Sequence, residues 1–457
     1  MSSSQVQSII QRQRQYFASG KTRSIDFRVA QLHKLKDGIK ALEREILEAL
    51  RLDLGKSGFE AYGTEVGLIY EEINHALAHI HGWTRPRPVP TPLVHQPSLS
   101  KIHPQPKGVV LLISPWNYPF QLLIGPLIGA IAAGNCAVLK PSEVAPKTSA
   151  VLGLLISRSF SPEFCAVIHG GIAETTQLLK EQFDHIFFTG SIPVGRIVMR
   201  AAAEHLTPVT LELGGKSPCF VDQDIDLNVT ARRIVWGKFT NAGQTCVAPD
   251  YLLVQRGVKN DLVTMMKKQI AELYGTDPMG SPDYGRIINE HHFDRLLRLK
   301  GGSIVCGGQS DRSRLYIAPT LIDHVKMDDN IMEDEIFGPL LPILTFDTLD
   351  EGLALAKQRP NPLACYAFSK RAAFSDRIID ELPFGGGCVN NVLVHLGVPG
   401  LPFGGIGSSG IGAYHGEQGF QSFSHLKSIL KSPFMFDLPL RYPPYKKRLR
   451  LMRQLMR

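Results

Sequence analysis

Cysteine pairs with metal-binding or redox spacing are missing from the sequence. The cysteines lie far apart, at positions 136, 165, 219, 246, 306, 365 and 388, and no two of them form a Cys-x-x-Cys motif. An odd number of scattered cysteines argues against a disulfide framework and against a thiolate metal site. A reducing compartment therefore fits the sequence best.

Long uninterrupted apolar segments are also lacking. The N-terminal stretch MSSSQVQSIIQRQRQ has no apolar run of the kind that signal peptides carry, so we expect a cytoplasmic protein. The most apolar stretch, residues 120–139, is interrupted by a glutamine, a proline and a Gly-Asn pair. We interpret it as a buried helix followed by a strand, because a membrane span needs about 20 predominantly apolar residues.

Excess positive charge is concentrated at the C-terminus. The formal net charge is +8, and residues 441–457 alone hold seven basic residues and no acidic one. A nucleic-acid-binding protein needs a basic face on its folded body, so the composition argues against that class.

The last residues, 446–457, have the pattern of a short amphipathic helix. Basic residues would line one face and apolar residues another, namely Lys446, Arg450, Arg453 and Arg457 against Leu449, Met452 and Met456. Such a helix would draw the protein to an anionic membrane surface. The alternative is a solvated basic end, because so short a segment rarely stays helical alone.

Alternating apolar runs predict an α/β fold. Between residues 108 and 213, the runs VVLLI, CAVLK, CAVIH, HIFFT and VTLEL recur roughly every 20 to 30 residues with helical segments between them. This pattern predicts a Rossmann-like parallel sheet. Further runs after residue 216 predict a second α/β domain. An apolar stripe over 27–50 predicts an amphipathic helix, and the proline-rich segment 83–97 predicts an extended arm.

Two segments that leave predicted strands have the chemistry of a dinucleotide site. In HIFFTGSIPVG, a strand runs into Gly190, Ser191 can cap the following helix, and Gly195 permits close approach, which suits a diphosphate. Lys140 and Glu143 of KPSE would suit ribose hydroxyls, or would simply form a charged loop. A G-x-G-x-x-G pattern at 405–410 lacks the β-α-β context and is interpreted as a turn.

Three further residues are catalytic candidates, and two of them, Asn117 and Cys246, also have a structural interpretation. Asn117 follows a predicted strand and could donate to an oxyanion or only shape a turn. Glu212, among leucines, should have a raised pKa that suits a general base. Cys246 is a buried thiol or a nucleophile. A stripe of Glu72, His75 and His79 has no additional ligand set, so no metal site is predicted.

Taken together and in order, the motifs resemble a known family. WNYP, KPSE, FTGSxxxG, LELGGKS, GQTC, EIFGP and PFGG form the signature of the NAD(P)-dependent aldehyde dehydrogenase superfamily, and the resemblance covers residues 10 to 433. WGKFTNAGQTCVAPDY and PFGGIGSSGIGAYHG resemble its class 3 branch, which includes fatty aldehyde dehydrogenases. The membrane-bound members of that branch have an apolar C-terminal anchor, which this sequence lacks.

The resemblance implies a role for each matching residue. Cys246 would be the nucleophile, Glu212 the general base, and Asn117 the oxyanion donor together with the backbone N–H of Cys246. The residues implied in NAD or NADP binding are Trp116, Lys140, Glu143, Gly190, Ser191, Gly195, Leu213, Glu335 and Phe337.

The resemblance also implies a division of the chain. The dinucleotide-binding domain would comprise residues 1–82 and 107–212, the catalytic domain 213–414, and a small β arm for oligomerisation 83–106 and 415–433, followed by the basic tail 434–457. We expect a homodimer that oxidises an apolar aldehyde to its carboxylate. The alternatives are an acyl-coenzyme-A-forming enzyme and a non-catalytic protein on the same scaffold.

Overall fold

The computed structural model describes residues 3–435, 437, 439–445 and 449–456. Its first large sheet has six strands, and all neighbours are parallel except the first pair. In order across the sheet, the strands are Gly410–Ile411, Val209–Glu212, His185–Thr189, Val109–Ile113, Cys136–Lys140 and Cys165–Val167. The predicted Rossmann-like sheet is thus confirmed. The strands Cys165–Val167 and Val209–Glu212 are shorter than the apolar runs CAVIH and VTLEL that predicted them.

A second sheet of seven strands follows in the chain. Its order is Ser303–Cys306, Thr320–Asp323, Leu340–Phe346, Tyr251–Gln255, Pro218–Val221, Ala364–Phe368 and Gly386–Val389. Only the first pair is antiparallel. The second α/β unit predicted after residue 216 is therefore present. The short strand Gly410–Ile411, which we had placed in this unit, pairs with the first sheet.

The described helices precede, separate and follow these strands along the chain. The first half of the chain has Ser3–Ala18, Ile25–Ala41, Glu43–Leu54, Gly58–Ala61, the π-helical turn Tyr62–Val66, Gly67–Trp83, Gln121–Ala133, Pro146–Ser159, Ile172–Lys180 and Ile192–Ala203. The second half has Leu227–Phe239, Lys259–Tyr274, Glu290–Arg298, Leu349–Ala356, Ala372–Glu381, Gly416–Ser422 and Leu449–Leu455.

The single helix predicted over 27–50 is wrong in one respect. The backbone leaves helical geometry at Leu42, where φ is −115° and ψ is 13°, so two helices share the stripe. Gly38, a poor helix former, lies one turn earlier. The apolar stripe stays buried across the break, including Leu35 and Ile46, because tertiary packing determines its position more than helix propensity does.

The proline-rich segment contributes to a third, small sheet. Arg87–Val89 pairs antiparallel with Leu99–Pro106, and that strand pairs with Ser424–Lys431. Proline residues are tolerated here because the strand Arg87–Val89 lies at a sheet edge. Residues 83–106 and the segment after 415 therefore meet in one three-stranded sheet.

The apolar stretch 120–139 forms the buried helix Gln121–Ala133 and the buried strand Cys136–Lys140, as predicted. Among the described residues, no helix is long and apolar enough to cross a membrane. Part of the tail forms the helix Leu449–Leu455, in which Leu449 and Leu451 are exposed. Lys446 and Arg457, on which the predicted basic face also depends, lie outside the described residues.

Candidate active site

Cys246 lies in a tightly bent loop after the helix Leu227–Phe239. Asn241 and Ala242 have positive φ angles of 54° and 51°, and Gly243 has one of 75°. The turn that carries the thiol is closed by a 3.0 Å hydrogen bond from the Ala248 N–H to the Thr245 carbonyl. This bend leaves the Cys246 side chain partly exposed at the wall of a cavity.

That cavity has a volume of about 240 Å³ and is mostly apolar. Cys246 and Glu212 both line it. Its other walls include Tyr118, Leu122, Trp236, Leu396, Phe403 and Tyr414. A nucleophile and a potential base thus share a space that suits an apolar molecule.

Glu212 ends the strand Val209–Glu212 and is 1% exposed. Neither of its carboxyl oxygens has a hydrogen-bond partner among the described residues. Burial raises the pKa of this carboxyl well above its ordinary value. The prediction of a raised pKa, made from its apolar neighbours, is therefore confirmed.

The thiol of Cys246 is also held in its neutral form. Burial, then the nearby Glu335 and Glu212 carboxyls, raise its pKa, while the backbone N–H groups of Cys246 and Val247 oppose that shift. Because desolvation disfavours an anion, the proton must leave as the sulfur attacks or must be taken up by a neighbouring base.

Asn117 is buried behind the cysteine loop. Its side-chain Nδ2 donates to the Gln244 carbonyl at 3.0 Å, and its own carbonyl accepts a 2.8 Å hydrogen bond from Asn241 Nδ2. An amide nitrogen has two hydrogens, so a second N–H of Asn117 is available to another acceptor. The loop after strand Val109–Ile113 is thereby tied directly to the cysteine loop.

The segment predicted to bind diphosphate lies at the start of the helix Ile192–Ala203. Gly190 donates its N–H to the Glu212 carbonyl at 3.0 Å. A Cβ at Gly195 would lie 2.7 Å from the Leu213 side chain, so a glycine is needed for this close packing. Ser191 occupies the N-cap position, but its side chain makes no capping hydrogen bond, contrary to our expectation. Its ψ angle of 153° is extended, and its hydroxyl is not committed to the helix.

Lys140 and Glu143 form an ion pair at the end of the strand Cys136–Lys140. Lys140 Nζ lies 3.2 Å from the Glu143 carboxylate and donates to the Pro141 carbonyl at 2.8 Å. The lysine is buried, whereas the glutamate side chain is 45% exposed. The pair therefore presents a carboxylate to solvent, and both earlier interpretations of KPSE remain compatible with it.

Glu335 of EIFGP lies beside the glycines that follow Leu213, and Phe337 lies beside Trp116. A Cβ on Gly214 would overlap the Glu335 carboxyl group. Burial and the nearby Asp250 raise the pKa of Glu335 to about 8. Phe337 has a φ of 49° and packs edge to face against Trp116, with ring centroids 5.3 Å apart.

Tyr118 and Thr245, which sequence reasoning did not single out, also belong to the site. Tyr118 lines the cavity, and its hydroxyl lies 2.6 Å from Thr245 Oγ1, next to the catalytic candidate Cys246. Both residues directly neighbour predicted ones, and this adjacency is the signal that could have identified them.

The stripe of Glu72, His75 and His79 has a structural use in the fold. Glu72 accepts a 2.7 Å hydrogen bond from the Gly416 N–H and lies 3.6 Å from His415. Within the described ranges, no group of three His, Cys, Asp or Glu side chains is arranged to hold a metal ion.

Comparison with known proteins identifies the family. The aldehyde dehydrogenase family model matches residues 1–429. The chain belongs to the aldehyde dehydrogenase family. It is an NAD(P)-dependent aldehyde dehydrogenase, as its motifs had indicated.

Two relatives and one solved structure show where this aldehyde dehydrogenase lies in the family. It is 50% identical over 434 residues to a 4,4'-diaponeurosporen-aldehyde dehydrogenase of Staphylococcus aureus, covering 94% of this chain and 95% of that one. It is 46% identical to aldehyde dehydrogenase family 3 member A2 of Macaca fascicularis, covering 95% and 90%. The substrate-bound Staphylococcus aureus AldH structure matches with a TM-score of 0.97 at 48% identity, covering 99% of each chain. The class 3 resemblance is confirmed.

The bend before Cys246 generates a test of the site's backbone. We expect Gly243→Ala to lower the free energy of unfolding by about 2 kcal/mol or more and to reduce aldehyde oxidation. The reason is that an alanine at this position would have to adopt a positive φ angle, which strains its backbone. It would also overlap the Gly338 carbonyl of EIFGP. Urea unfolding and steady-state activity measure the two effects.

Gly257→Ala is the matched control for this experiment. Its Cβ would meet nothing nearer than Gln223 Oε1 at 3.9 Å. We expect a change within about 0.5 kcal/mol. Equal unfolding midpoints for the two variants would contradict the role assigned to the bend.

Proposed function

We propose that this aldehyde dehydrogenase oxidises an apolar aldehyde to its carboxylate through a thiohemiacetal and a thioester on Cys246. The observation that carries the proposal is that Cys246 and the unpartnered carboxyl of Glu212 line one apolar cavity. A thiol and a carboxyl with a raised pKa supply the nucleophile and base that the two half-reactions need.

In the first half-reaction, the sulfur of Cys246 forms a bond to the aldehyde carbon while the thiol proton passes to a base. The carbonyl oxygen becomes an alkoxide, which Asn117 Nδ2 and the backbone N–H of Cys246 stabilise. Each such donor contributes about 3 kcal/mol in comparable sites. The 3.0 Å hydrogen bond from Asn117 Nδ2 to the Gln244 carbonyl joins the Asn117 loop to the cysteine loop, which supports this pairing of donors.

Bound NAD or NADP would supply the acceptor for the hydride that leaves the former aldehyde carbon as the thioester forms. The residues present fit a dinucleotide, because neighbouring parallel strands of one sheet end at Lys140, Ile113 and Thr189, and a helix begins at Ile192 just after Gly190. Lys140 and Glu143 would hold the adenosine ribose, and Gly190, Ser191 and Gly195 the diphosphate. At the nicotinamide end would lie Trp116, Leu213, Glu335 and Phe337.

In the second half-reaction, Glu212 takes a proton from water, and the resulting hydroxide attacks the thioester carbon. The carbon–sulfur bond then breaks and releases the carboxylate and Cys246. A base that activates water would be a liability in an enzyme that passes the acyl group to coenzyme A. Glu212 therefore argues against that alternative, and its presence with Cys246 and Asn117 argues against a non-catalytic protein.

The substrate class follows from the cavity wall. Leucine and aromatic side chains surround the thiol, so burial of an apolar aldehyde chain gains roughly 25 cal/mol per Å². The Staphylococcus aureus relative is named for an aldehyde of this apolar kind. An apolar aliphatic or aromatic aldehyde is the substrate class we propose.

The remaining assignments are also proposals. Residues 1–82 and 107–212 would bind the dinucleotide, residues 213–414 would carry the cysteine, and the arm of 83–106 and 415–433 would form a homodimer interface. The strand Ser424–Lys431 is exposed along nearly its whole length in the single chain, which supports that use. All seven cysteines are free thiols, which supports a reducing, cytoplasmic location.

Cys246→Ser tests the nucleophile. We expect this variant to lose aldehyde oxidation while its dinucleotide affinity stays within a few-fold, because a hydroxyl is a much weaker nucleophile at neutral pH. NADH absorbance at 340 nm and a dinucleotide titration measure the two properties. Turnover by the purified variant would show that the nucleophile is elsewhere.

Glu212→Gln separates the half-reactions. We expect one equivalent of NADH per site, followed by a stall at the thioester, because the amide cannot deprotonate water. Stopped-flow absorbance and mass spectrometry of the acylated protein measure this result. In the unmodified enzyme, the hydrolytic rate should rise with pH through the raised pKa of Glu212, since only the carboxylate is a base. Normal steady-state turnover by the variant would assign the base to another residue.

Truncation after Pro433 tests whether the tail holds the enzyme at a membrane surface. The described part of the tail exposes Leu449, Leu451 and Met456, and a basic residue contributes about 1 kcal/mol near an anionic surface. We expect full-length protein to co-sediment with phosphatidylserine vesicles at low salt and to be released at high salt. Equal binding by the truncated chain would exclude the tail as the anchor.

A further inference from the structure

A buried ion pair lies behind Asn117 and does not take part in the chemistry proposed above. Lys56 Nζ lies 2.6 Å from Glu65 Oε1, and both side chains are fully buried. Removing two charges from water costs several kcal/mol, so such pairs are weak devices for stability alone. We therefore expect the Lys56–Glu65 pair to have a role other than stability, and the groups that it contacts indicate that role.

Every group of the pair is directed at the loop that carries Asn117. Lys56 Nζ donates to the Asn117 carbonyl at 3.1 Å and lies 3.9 Å from the centre of the Tyr118 ring. Glu65 Oε2 accepts hydrogen bonds from the Phe120 and Gln121 N–H groups at 3.0 and 3.2 Å. The pair thus fixes both ends of the segment 117–121.

The backbone around Glu65 is unusual. Residues Tyr62–Val66 form a π-helical turn between two α-helices, and such turns are frequent at functional sites. Gly63 and Thr64 of the same turn line the cavity, while Glu65 is directed into the protein interior. A single widened turn therefore supplies both a cavity wall and the carboxylate beneath the Asn117 loop.

The opposite side of Asn117 is held by the cysteine loop. Asn241 Nδ2 donates to the same Asn117 carbonyl that Lys56 contacts, and Gln244 accepts from Asn117 Nδ2. Asn241 is in turn fixed by a 2.7 Å hydrogen bond from its N–H to Glu60 Oε1. Asn117 therefore lies between the buried pair and the loop that presents Cys246.

We infer that Lys56 and Glu65 are positioning residues that set the Asn117 amide relative to Cys246 for the acylation step. This inference rests on the proposed role of Asn117 as an oxyanion donor. Neither residue lines the cavity, and the pair would act through the Asn117 carbonyl and the N–H groups of Phe120 and Gln121. A shift of the donor by about 1 Å can cost a hundredfold in rate.

Glu65→Gln tests the inference in the full-length enzyme with NAD and a soluble apolar aldehyde. The amide keeps the shape of the side chain but removes the charge that balances Lys56. We expect the rate of the pre-steady-state NADH burst, which reports acylation, to fall about tenfold to a hundredfold. NAD affinity should stay within about twofold.

A double-mutant cycle with Asn117→Ala distinguishes positioning from a general structural effect. If the pair acts through Asn117, Glu65→Gln should change the burst rate less than about twofold once that amide is gone. An equal loss in both backgrounds, or no loss in the first, would overturn the inference. An unchanged burst in Asn117→Ala alone would instead contradict the proposed oxyanion role.

Two further variants keep the test interpretable. Asp323→Asn breaks the partly buried Lys259–Asp323 pair, whose atoms lie 2.7 Å apart in the second α/β unit. We expect Asp323→Asn to lower the melting temperature without changing the burst rate.

If Glu65→Gln does not fold, the double variant Lys56→Gln/Glu65→Gln replaces it, because the double variant leaves no unpaired buried charge. The same burst loss and the same cycle are expected for it, and their absence would overturn the inference.

Discussion

The hydrogen bond between Asn117 Nδ2 and the Gln244 carbonyl is the contact on which the arrangement of the site depends. It joins a loop that leaves the first sheet to the loop that carries the thiol and leads into the second. Together with the hydrogen bond from Asn241 Nδ2 to the Asn117 carbonyl, it holds Asn117 next to the loop that carries Cys246. Gln244 is itself held by its side chain, which donates to the Arg286 carbonyl and accepts from the Ile288 N–H. Gln244 is therefore hydrogen-bonded to Asn117 through its backbone carbonyl and to residues 286 and 288 through its side chain.

The electrostatics of the cavity follow from its mostly apolar lining. The pKa of Cys246, of Glu212 and of Glu335 is raised in each case, chiefly by burial. Burial thus disfavours the anionic form of all three groups, and each needs its proton removed before it can act as an anion. Such a site suits an aldehyde, which enters uncharged, and it favours departure of the carboxylate, because a product anion is poorly solvated among leucine and aromatic side chains.

Periodicity and strand spacing were enough to predict both large sheets, because parallel strands covered on both faces form compact apolar runs. Local sequence could not decide between a nucleophile and a buried thiol at Cys246, since the answer depends on which wall of a cavity the loop reaches. The resemblance supplied that assignment. The break at Leu42 and the unused hydroxyl of Ser191 were missed because backbone angles respond to tertiary packing. Lys56 and Glu65 were not singled out, because a lysine and a glutamate in a helical region usually face solvent.

Apolar side chains could not simply replace the buried pair. A leucine at position 65 would remove the acceptor of the Phe120 and Gln121 N–H groups, which begin the buried helix Gln121–Ala133. The first N–H groups of a helix have no partner within it, and each one left unsatisfied in the interior costs about 1 to 3 kcal/mol. A carboxylate can accept both, but a buried carboxylate needs a cation, and Lys56 provides it. The charge pair therefore follows from placing a helix start directly behind the Asn117 loop, and the same two residues that contact the start of the helix also contact Asn117.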